Sequence, residues 1–591
     1  MALYRAISAI ILKLMAKNAE DRYQSAYGIQ ADLEAVLAQI PDCQETGNSL
    51  QLARVSFGPF VPGHLDISGQ FCIPQKLYGR DQERETVLDA FERVCRGHRE
   101  MLLVTGPAGI GKTALVQEMY KPMTRHRGYF IAGKFDQLRQ NIPYLAFIQA
   151  CQSLMHYLLA ESEAAIAVWR KNLLAALGNN GRVITDVIPD AALIIGPQPD
   201  VPTLPPDEAQ NRFNLVMQRF IRVFAQPAHP LVLFLDDLQW ADGASLSLLE
   251  QLTAMLDHDD HHHRSQGNQG EALFLVGAYR DNEVGEQHPL RTTLDTIARA
   301  GVPVQHLLLT PLDSAWVTRM VAETFSCDES AARPLADLLV SRTGGNPFFL
   351  NEFLTTLHRD GLVTFGVPGY EGPGRPGRLG SHGPGERPRV GGRTTFAWSA
   401  QPPVWQWDLA RIEAQGLTDN VIELMIRKIQ RAREPTRNLL KLASCLGNQF
   451  DLETLAWISA QSPQETAANI RDAVVDGLVV PLNGASRLTN LDLNGNAVNF
   501  PPPPTKVSYR FAHDRIQQTA YELIPPSERQ MMHWCIGQRI LEHTRPEERE
   551  ERLFEIVSQL NRGWEGLRAA GWSAEARPAM VKASSRATWQ N

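Results

Sequence analysis

The sequence predicts an α/β core with a parallel sheet, followed by a second half that is mainly helical. Between residues 76 and 312, short apolar runs alternate with amphipathic stretches, a pattern typical of a parallel sheet covered by helices on both faces. A glycine-rich loop ending in Lys-Thr follows the first run, and two adjacent aspartates follow the third. Both features place polar groups at the carboxyl edge of the sheet, where open α/β sheets bind ligands.

Composition divides the rest of the chain into further segments. The apolar runs expected to form the strands cover residues 101–105, 128–133, 231–235, 273–278 and 306–310. The segment 366–402 is rich in Gly, Pro and Arg and offers little to bury, so it is expected to be disordered. The other expected segments are a helical stretch at 1–40, a linker at 41–75, the α/β core at 76–312, a helical lid at 313–365, a winged-helix-like domain at 403–523 with a strand pair at 478–481 and 507–511, and a helical region at 524–591.

Overall composition excludes several classes of protein. With 43% hydrophobic and 21% charged residues among 591, the chain resembles an ordinary globular protein. The net charge of −7 provides no broad attraction for nucleic acid. The seven cysteines are never closely paired, which argues against a disulfide framework or a cysteine-based zinc site. No apolar run approaches the length of a membrane span, and no signal peptide is apparent, so we expect a cytoplasmic location.

The strongest functional signal is the loop after the first apolar run, which matches the pattern GxxxxGK[ST] between a strand and a helix. Its glycines let several main-chain N–H groups face one anion, and its lysine adds a cation for the β- and γ-phosphates. The loop therefore predicts a site for ATP or ADP with Mg²⁺, in which Thr113 offers a hydroxyl to the metal. The residues expected to contact the nucleotide are Gly106, Pro107, Ala108, Gly109, Ile110, Gly111, Lys112 and Thr113.

Acidic residues at the end of a neighbouring strand complete such a site. The apolar run 231–235 is followed by Asp236, which we expect to hold Mg²⁺, and by Asp237, which we expect to orient or deprotonate the attacking water. After the run 273–278, Arg280 could sense the γ-phosphate. The alternative for Arg280 is a surface salt bridge with Asp281 or Glu283.

A second cluster of potential ligands carries a weaker signal. Residues 257–263 contain Asp and His side chains of the kind that bind zinc or nickel. They lie in a polar stretch between a helix and the next strand, so we do not expect a functional metal there.

Together with four further stretches, these residues resemble the STAND class of signalling P-loop ATPases, close to the origin-recognition-like AAA ATPase domain. The four stretches are Tyr78-Gly79-Arg80, Leu235 to Asp242, Tyr279 to Val284 and Gly345 to Phe349. The resemblance implies a sheet of order 5-1-4-3-2 and a sensor role for Arg280. It also implies that Tyr78, Gly79 and Arg80 line the adenine and ribose side, and that Pro347 lies against the adenine. Related switch ATPases place a His-Asp pair against the phosphate of ADP, a role that His513 could fill; the alternative is that Asp514 caps a helix and His513 packs.

The chain looks most like the ATPase of large bacterial proteins that join a serine/threonine kinase, this ATPase, helical repeats, a GAF sensor and a histidine kinase. Residues 13–23 resemble the last helices of a kinase domain, so 1–40 is expected to be a kinase remnant. The glycine-rich loop, the ATP-binding lysine and the metal-binding Asp-Phe-Gly of a kinase do not occur in the sequence. Residues 524–591 would begin a truncated repeat array, so we expect a fragment or a shortened form of a larger signalling protein.

The resulting hypothesis is a slow ATP hydrolase that acts as a nucleotide-dependent conformational switch. Its expected partners are ATP, proteins that contact the helical C-terminal region, and the kinase modules of the parent architecture, with oligomerisation on ATP binding. Two alternatives remain open. One is a fragment of a serine/threonine or sensor kinase without its own catalytic residues, and the other is an origin-recognition-like ATPase that binds DNA, against which the acidic net charge argues.

Overall fold

The computed structural model describes residues 2–16, 22–38, 62–63, 66, 69–97, 100–140, 142–254, 272–301, 303–366, 404–414, 421–482, 507–549 and 552–569. The cluster at 257–263 lies outside these residues, as does nearly all of the segment 366–402. The expectations for those two segments therefore stay predictions. The chain divides into two compact units, the first comprising Met1–Gly79 and Leu312–Asp419, the second Arg80–Pro311 and Asn420–Asn591.

The helices and strands of the described residues are numbered in chain order. The helices are α1 (Ala2–Leu14), α2 (Ala26–Ala38), α3 (Asp81–Cys95), α4 (Lys112–Gln117), α5 (Tyr120–His126), α6 (Leu145–Leu159), α7 (Glu163–Leu177), α8 (Gly181–Val187), α9 (Ala191–Ile195), α10 (Pro206–Phe224), α11 (Gly243–Ala254), α12 (Pro289–Arg299), α13 (Ser314–Phe325), α14 (Glu329–Thr343), α15 (Pro347–Arg359), α16 (Leu409–Ala414), α17 (Val421–Arg431), α18 (Glu434–Leu446), α19 (Leu452–Ser459), α20 (Pro463–Val475), α21 (Asp514–Glu522), α22 (Pro526–His543) and α23 (Leu553–Ala569). The strands are β1 (Glu100–Thr105), β2 (Tyr129–Lys134), β3 (Leu231–Asp236), β4 (Leu273–Tyr279), β5 (Val304–Leu308), β6 (Val363–Gly366), β7 (Val404–Trp407), β8 (Gln449–Asp451), β9 (Val479–Leu482) and β10 (Ser508–Phe511).

The second unit contains, within its described residues, a five-stranded parallel sheet of order β2-β3-β4-β1-β5. Counted from the opposite edge this is 5-1-4-3-2, so the predicted order is confirmed. Every residue of β1 and of β3 is buried, because apolar side chains alternate between two faces that are both covered by helices. This arrangement brings the ends of β1, β2, β3 and β4 to one edge of the sheet.

After residue 420, the second unit combines helices with a small antiparallel sheet of order β8-β10-β9. β9 and β10 pair as predicted, with Val479 opposite Phe511. The sequence analysis missed β8, which pairs with the other side of β10 and places Phe450 opposite Tyr509. β8 has three residues and a single buried apolar side chain, too short a pattern to distinguish a strand from a loop.

The first unit contains α1, α2, α13, α14, α15, α16 and a hairpin that the sequence analysis did not predict. β6 and β7 pair antiparallel, with Val363 opposite Trp407. The ring of Trp405 packs 6.1 Å from that of Phe71 and 5.5 Å from that of Phe325. Because its strands have four residues each and are separated by the Gly-rich segment, the hairpin leaves no recognisable turn signal. β7 lies beyond position 403, where we expected the next domain to begin.

None of the helices within the described ranges has the length and hydropathy needed to span a membrane.

The close approach of α6 to the end of β2 generates a prediction about stability. A Cβ atom on Gly133 would lie 1.9 Å from the main-chain oxygen of Ala146, and main-chain atoms cannot move aside as a flexible side chain can. The substitution Gly133→Ala should therefore lower the free energy of unfolding by about 1–3 kcal/mol, measured by urea denaturation. Gly243→Ala is the matched control, since its Cβ would meet open space. Equal stability of the two variants would contradict the packing described here.

Candidate active site

The loop between β1 and α4 has the backbone geometry of an anion cradle. Gly106, Gly109 and Gly111 have positive φ angles of 140°, 79° and 102°, which glycine adopts at little steric cost. A Cβ atom on Gly106 would lie 2.6 Å from the carbonyl oxygen of Leu309. A side chain at position 106 would therefore collide with the main chain just after β5, and the loop curls back before α4 begins at Lys112.

The side chain of Lys112 folds over this loop. Its Nζ donates hydrogen bonds to the carbonyl oxygens of Gly106, at 2.8 Å, and Pro107, at 3.1 Å. Ala108 and Ile110 are buried beneath the loop. Burial lowers the pKa of Lys112, an effect that the carboxylates at the end of β3 oppose. Lys112 is thus a buried cation within reach of the cradle.

The two residues expected to hold the metal lie in direct contact. The hydroxyl of Thr113 donates a hydrogen bond of 2.9 Å to Asp236 Oδ2. Asp236 Oδ1 accepts from the main-chain N–H of Asp237 at 3.0 Å. Burial raises the pKa of Asp236, and the negative charge of Asp237 adds to this effect. A hydroxyl and a carboxylate beside an anion cradle are hard oxygen ligands of the type that Mg²⁺ prefers, so the residues present fit a magnesium nucleotide.

The expected general base, Asp237, is held in a sparsely populated conformation. Its φ and ψ angles are 56° and 46°, in the left-handed region that few residues other than glycine occupy. Its Oδ1 accepts a 2.9 Å hydrogen bond from Gln239 Nε2, and Gln239 Oε1 accepts from the main-chain N–H of Arg280 at 3.2 Å. Gln239 therefore links the ends of β3 and β4 and fixes the direction of the Asp237 carboxylate.

Asp237 belongs to a larger group of charges, the ion-pair cluster, formed by Lys134, Asp237, Arg280, Glu283 and Asp514. Lys134 Nζ lies 3.0 Å from Asp237 Oδ2 and 2.8 Å from both carboxylate oxygens of Asp514. Arg280 lies 3.4 Å from Asp237 Oδ1, 2.8 Å from Glu283 Oε1 and 2.9 Å from Asp514 Oδ2. Two cations from the sheet edge therefore clamp a carboxylate from the first residue of α21.

Opposite charges within the cluster favour the charged forms of Lys134 and Asp514. Burial alone would lower the pKa of Lys134, but the carboxylates of Asp514 and Asp237 raise it above its ordinary value. Burial would raise the pKa of Asp514, but Lys134 and Arg280 lower it. Removing one partner from such a group leaves an uncompensated buried charge, which is strongly destabilising.

Arg280 differs from both sequence-based descriptions. Its side chain is only 3% exposed, so the expected position at the surface is wrong. The expected ion pair with Glu283 is present. Its other partners, Asp237 and Asp514, place it among the proposed catalytic groups. The sensor role stays a prediction.

The His-Asp pair divides its roles in an unexpected way. His513, not Asp514, is the N-cap of α21, and its Nδ1 accepts a 3.1 Å hydrogen bond from the main-chain N–H of Arg515. Asp514 instead joins the ion-pair cluster. Burial, reinforced by the positive charges of Lys134 and Arg280, lowers the pKa of His513 to about 3. His513 is therefore neutral at pH 7, and its contact with ADP stays a prediction.

Lys134 was not predicted as a site residue, and Asp514 was predicted only as part of a His-Asp pair or as a helix cap. Lys134 is the last residue of β2, so the rule that selected polar residues at the carboxyl ends of strands could have found it. Asp514 lies 380 positions further along the chain, and no local pattern indicates that it faces Lys134.

Three residues assigned to the nucleotide by resemblance lie in the first unit. The hydroxyl of Tyr78 donates a 2.9 Å hydrogen bond to Glu323. Gly79 has a φ angle of 60°, and a Cβ atom there would lie 2.6 Å from the ring of Trp316. Pro347 is the first residue of α15. Their assigned roles stay predictions.

Arg80, the fourth residue assigned by resemblance, belongs to the second unit. Its guanidinium donates to the carbonyl oxygen of Thr310, just after β5, and lies 3.0 Å from Glu83 Oε1. Arg80 thus anchors the start of α3 to the sheet, and its contact with the nucleotide is also a prediction.

Comparison with known proteins finds a family model that matches part of the chain. Residues 76–264 match the family model of the AAA ATPase domain. The matched range includes the cradle, β2 with Lys134, and the aspartates after β3. The AAA ATPase domain and the sheet order together support a P-loop NTPase core.

The curated relatives are much longer proteins. "Hybrid signal transduction histidine kinase G" of Dictyostelium discoideum is 28% identical over 618 aligned positions, which cover 90% of this chain and 17% of the relative. "Histidine protein kinase 1" of Candida albicans is 20% identical over 41% of this chain and 11% of its own length. The chain therefore spans about a sixth or less of the length of these relatives.

Solved structures resemble the chain more distantly. A STAND protein with a tetratricopeptide repeat sensor from Pyrococcus horikoshii is 12% identical with a TM-score of 0.36, covering 86% of this chain and 50% of that one. The ORC1 protein of Aeropyrum pernix, solved in complex with DNA, is 11% identical with a TM-score of 0.29, covering 77% of this chain and 94% of that one.

The depressed pKa of His513 predicts a loss of stability in mild acid. Unfolding returns the imidazole to a pKa of about 6.5, so between that pH and about 3 the unfolded chain binds the additional proton. The free energy of unfolding should therefore fall by about 2 kcal/mol from this residue alone between pH 7 and pH 5. His513→Asn keeps an oxygen acceptor at the N-cap but cannot titrate, so urea denaturation of this variant should show a smaller loss over the same range. An equal loss in wild type and variant would show that His513 is not held neutral.

Proposed function

We propose that the chain is an ATP-binding and ATP-hydrolysing module whose nucleotide state controls the position of the segment that carries Asp514. The hydrogen bond between Thr113 and Asp236, at the mouth of the glycine cradle, supports this function most directly. It joins the residue that follows the phosphate-binding lysine to the acid at the end of the neighbouring strand. A P-loop NTPase uses this pair to hold the metal of its nucleotide.

Nucleotide binding rests on the cradle and its lysine. Loop N–H groups and Lys112 bind phosphate oxygens, and Lys112 exchanges its two carbonyl partners for them. Mg²⁺ held through Thr113 and Asp236 would offset phosphate charge during transfer. Thr113, on α4, and Asp236, on β3, then share one ligand.

Hydrolysis rests on Asp237. Its carboxylate orients the attacking water and accepts a proton, while Gln239 keeps its direction fixed. In this structure, Lys134 and Arg280 both pair with this carboxylate and occupy the oxygens that would orient the water. The ion-pair cluster therefore represents a state of low hydrolytic activity.

Switching rests on competition for the two cations. Lys134 and Arg280 bind either the Asp514 carboxylate or the phosphate oxygens of the nucleotide. They cannot bind both at once, because they must leave Asp514 to reach the nucleotide. A ligand shifts such an equilibrium only by its differential affinity for the two states. Exchange of partners would release α21 and, with it, the small sheet that we interpret as part of a winged-helix domain.

The named relatives suggest a setting for this module. Their descriptions as histidine kinases favour an ATPase that acts inside a longer signalling protein, with kinase modules as partners. The kinase-fragment alternative describes the same setting, but the sequence contains no kinase glycine-rich loop or Asp-Phe-Gly, so we assign no protein phosphorylation to this chain. We do not propose DNA binding, because a net charge of −7 provides no broad positive surface.

Two substitutions separate binding from hydrolysis. Lys112→Ala should weaken ATP binding about ten- to a hundredfold, because it removes a charge-assisted contact of about 1.5–3 kcal/mol. Asp237→Asn should leave the affinity for ATP near that of the wild type and reduce hydrolysis about 10²- to 10⁴-fold, since an amide cannot accept the proton. Calorimetry measures the affinity of Lys112→Ala for ATP, and phosphate release measures the rate of hydrolysis by Asp237→Asn. Unchanged affinity in Lys112→Ala would remove the site assignment, and undiminished hydrolysis in Asp237→Asn would place the base elsewhere.

A third substitution tests the switch. Asp514→Asn keeps the size of the side chain but removes its charge, so Lys134 and Arg280 lose the carboxylate that competes with phosphate. ADP should dissociate about ten- to a hundredfold more slowly, in line with a charge-assisted contact of about 1.5–3 kcal/mol. Release of a fluorescent ADP, followed by stopped flow, measures this rate.

The matched control for the switch is Asp472→Asn. Asp472 pairs with Arg433 at the surface of the same half of the chain, and exposed pairs contribute little. We expect its ADP release rate to equal that of the wild type. If Asp514→Asn behaves in the same way, Asp514 does not compete with the nucleotide for Lys134 and Arg280.

A further inference from the structure

The six residues 134–139 connect the candidate active site with the C-terminal helices. They begin at Lys134, the last residue of β2, and end with a single turn of 3-10 helix at Gln137–Arg139. The C-terminal helices contain none of the proposed catalytic groups. Any contact between them and this segment is therefore a route by which they could influence the chemistry.

One end of the segment is fixed to the catalytic acids. Lys134 Nζ lies 3.0 Å from Asp237 Oδ2. The main-chain N–H of the next residue, Phe135, donates a 3.0 Å hydrogen bond to the carbonyl oxygen of Asp236. A shift of the segment therefore changes the distance between the ammonium group and the carboxylate of Asp237.

The middle of the segment is fixed to the small sheet. Asp136 Oδ1 accepts from the main-chain N–H of Leu138, and its Oδ2 accepts from that of Asn448, both at 2.8 Å. The carbonyl oxygen of Asn448 accepts a 2.9 Å hydrogen bond from Phe511, the last residue of β10. Asp514 follows three residues later, so the segment touches this part of the chain at two points.

The far end of the segment is fixed to α23. The guanidinium of Arg562 donates to the carbonyl oxygen of Leu138 and lies 3.5 Å from that of Gln137. One turn earlier on the same helix, Gln559 Nε2 donates a 2.8 Å hydrogen bond to the carbonyl oxygen of Cys445. The position of α23 is thus linked both to the 3-10 turn and to the end of α18.

We propose that residues 134–139 couple α23 to the active site, with Arg562 acting as a positioning residue for Lys134 and, through it, for Asp237. This inference rests on the proposed ATPase function and names a means of its regulation. Arg562 holds the 3-10 turn in place, so Lys134 stays against the Asp237 carboxylate and occupies an oxygen that would otherwise orient the attacking water. Displacement of α23 withdraws this support, frees the carboxylate and speeds hydrolysis. Because coupling between binding equilibria is reciprocal, the nucleotide also changes the stability of α23.

The test uses Arg562→Met, which keeps a long apolar side chain and removes every donor. In the full chain we expect the single-turnover rate of ATP hydrolysis to rise about three- to tenfold, within the range by which residues remote from both sites modulate coupling. The affinity for ATP should change less than twofold. The control is Arg539→Met on α22, since Arg539 donates to the carbonyl oxygen of Trp457, away from residues 134–139. Its hydrolysis rate should equal that of the wild type.

A double-mutant cycle distinguishes coupling from general loosening. In a Lys134→Met background, Arg562→Met should cause no further change in rate, because Lys134 is the residue through which it acts. Equal rates in wild type and Arg562→Met, additive effects of the two substitutions, or the same effect from Arg539→Met would each overturn the inference and leave the ATPase function intact. Absence of ATP binding and hydrolysis in the wild type would instead refute the proposed function, and the inference would fall with it.

Hydrogen exchange on the unmodified chain provides a second measurement if Arg562→Met does not fold. Amides of α23 around Arg562, and that of Leu138, should exchange at different rates with ADP and with a slowly hydrolysed ATP analogue. Amides in α20, which has none of these contacts, serve as the internal reference. Identical exchange of α23 in the two nucleotide states would overturn the inference.

Discussion

The buried charges at the carboxyl edge of the parallel sheet must be compensated, and this need constrains the residues at the ends of the neighbouring strands. Asp236 and Asp237 are adjacent and buried, and burial together with the negative charge of Asp237 raises the pKa of Asp236. Lys134 and Arg280, from the strands on either side of β3, bring positive charge to this pair. Asp514, which lies far along the chain, adds a carboxylate that both cations share. The need to compensate the charge of Asp236 and Asp237 therefore favours cations at the ends of β2 and β4. It also favours a carboxylate at the start of α21.

The backbone satisfies this constraint through close approaches. The cradle can curl only because Gly106 tolerates the main chain of β5, and β2 can bring Lys134 to the edge only because α6 packs directly on Gly133. Asp237 occupies the left-handed region, a conformation that costs of order 1–3 kcal/mol. A hydrogen bond from Gln239 and ion pairs with the flanking cations hold it there. At Asp237, the side-chain contacts thus offset the cost of the strained main-chain conformation.

Local patterns predicted the parts of the fold that depend on local physics. The cradle, the strands of the core and the acids after β3 all follow from short sequence patterns, and the sheet order followed from the family resemblance. The β6–β7 hairpin and β8 could not be predicted, because three- and four-residue strands depend on partners that are distant in sequence. The alternative in which Asp514 caps the helix and His513 packs was wrong for the same reason. Either residue can cap a helix, and only the distant cations determine which of them does so.

The separation of Lys134 from Asp514 by 380 residues also has a consequence for biosynthesis. A ribosome that adds about 5–20 residues per second needs roughly 20–75 s to pass from one to the other. Once Arg280 has been made, 234 residues before Asp514, the nascent core contains its cradle, its acids and both cations, while the carboxylate of Asp514 has not been made. The order of translation therefore gives phosphate the first opportunity to occupy the cations, and the ion-pair cluster must form afterwards, in competition with whatever the core has bound.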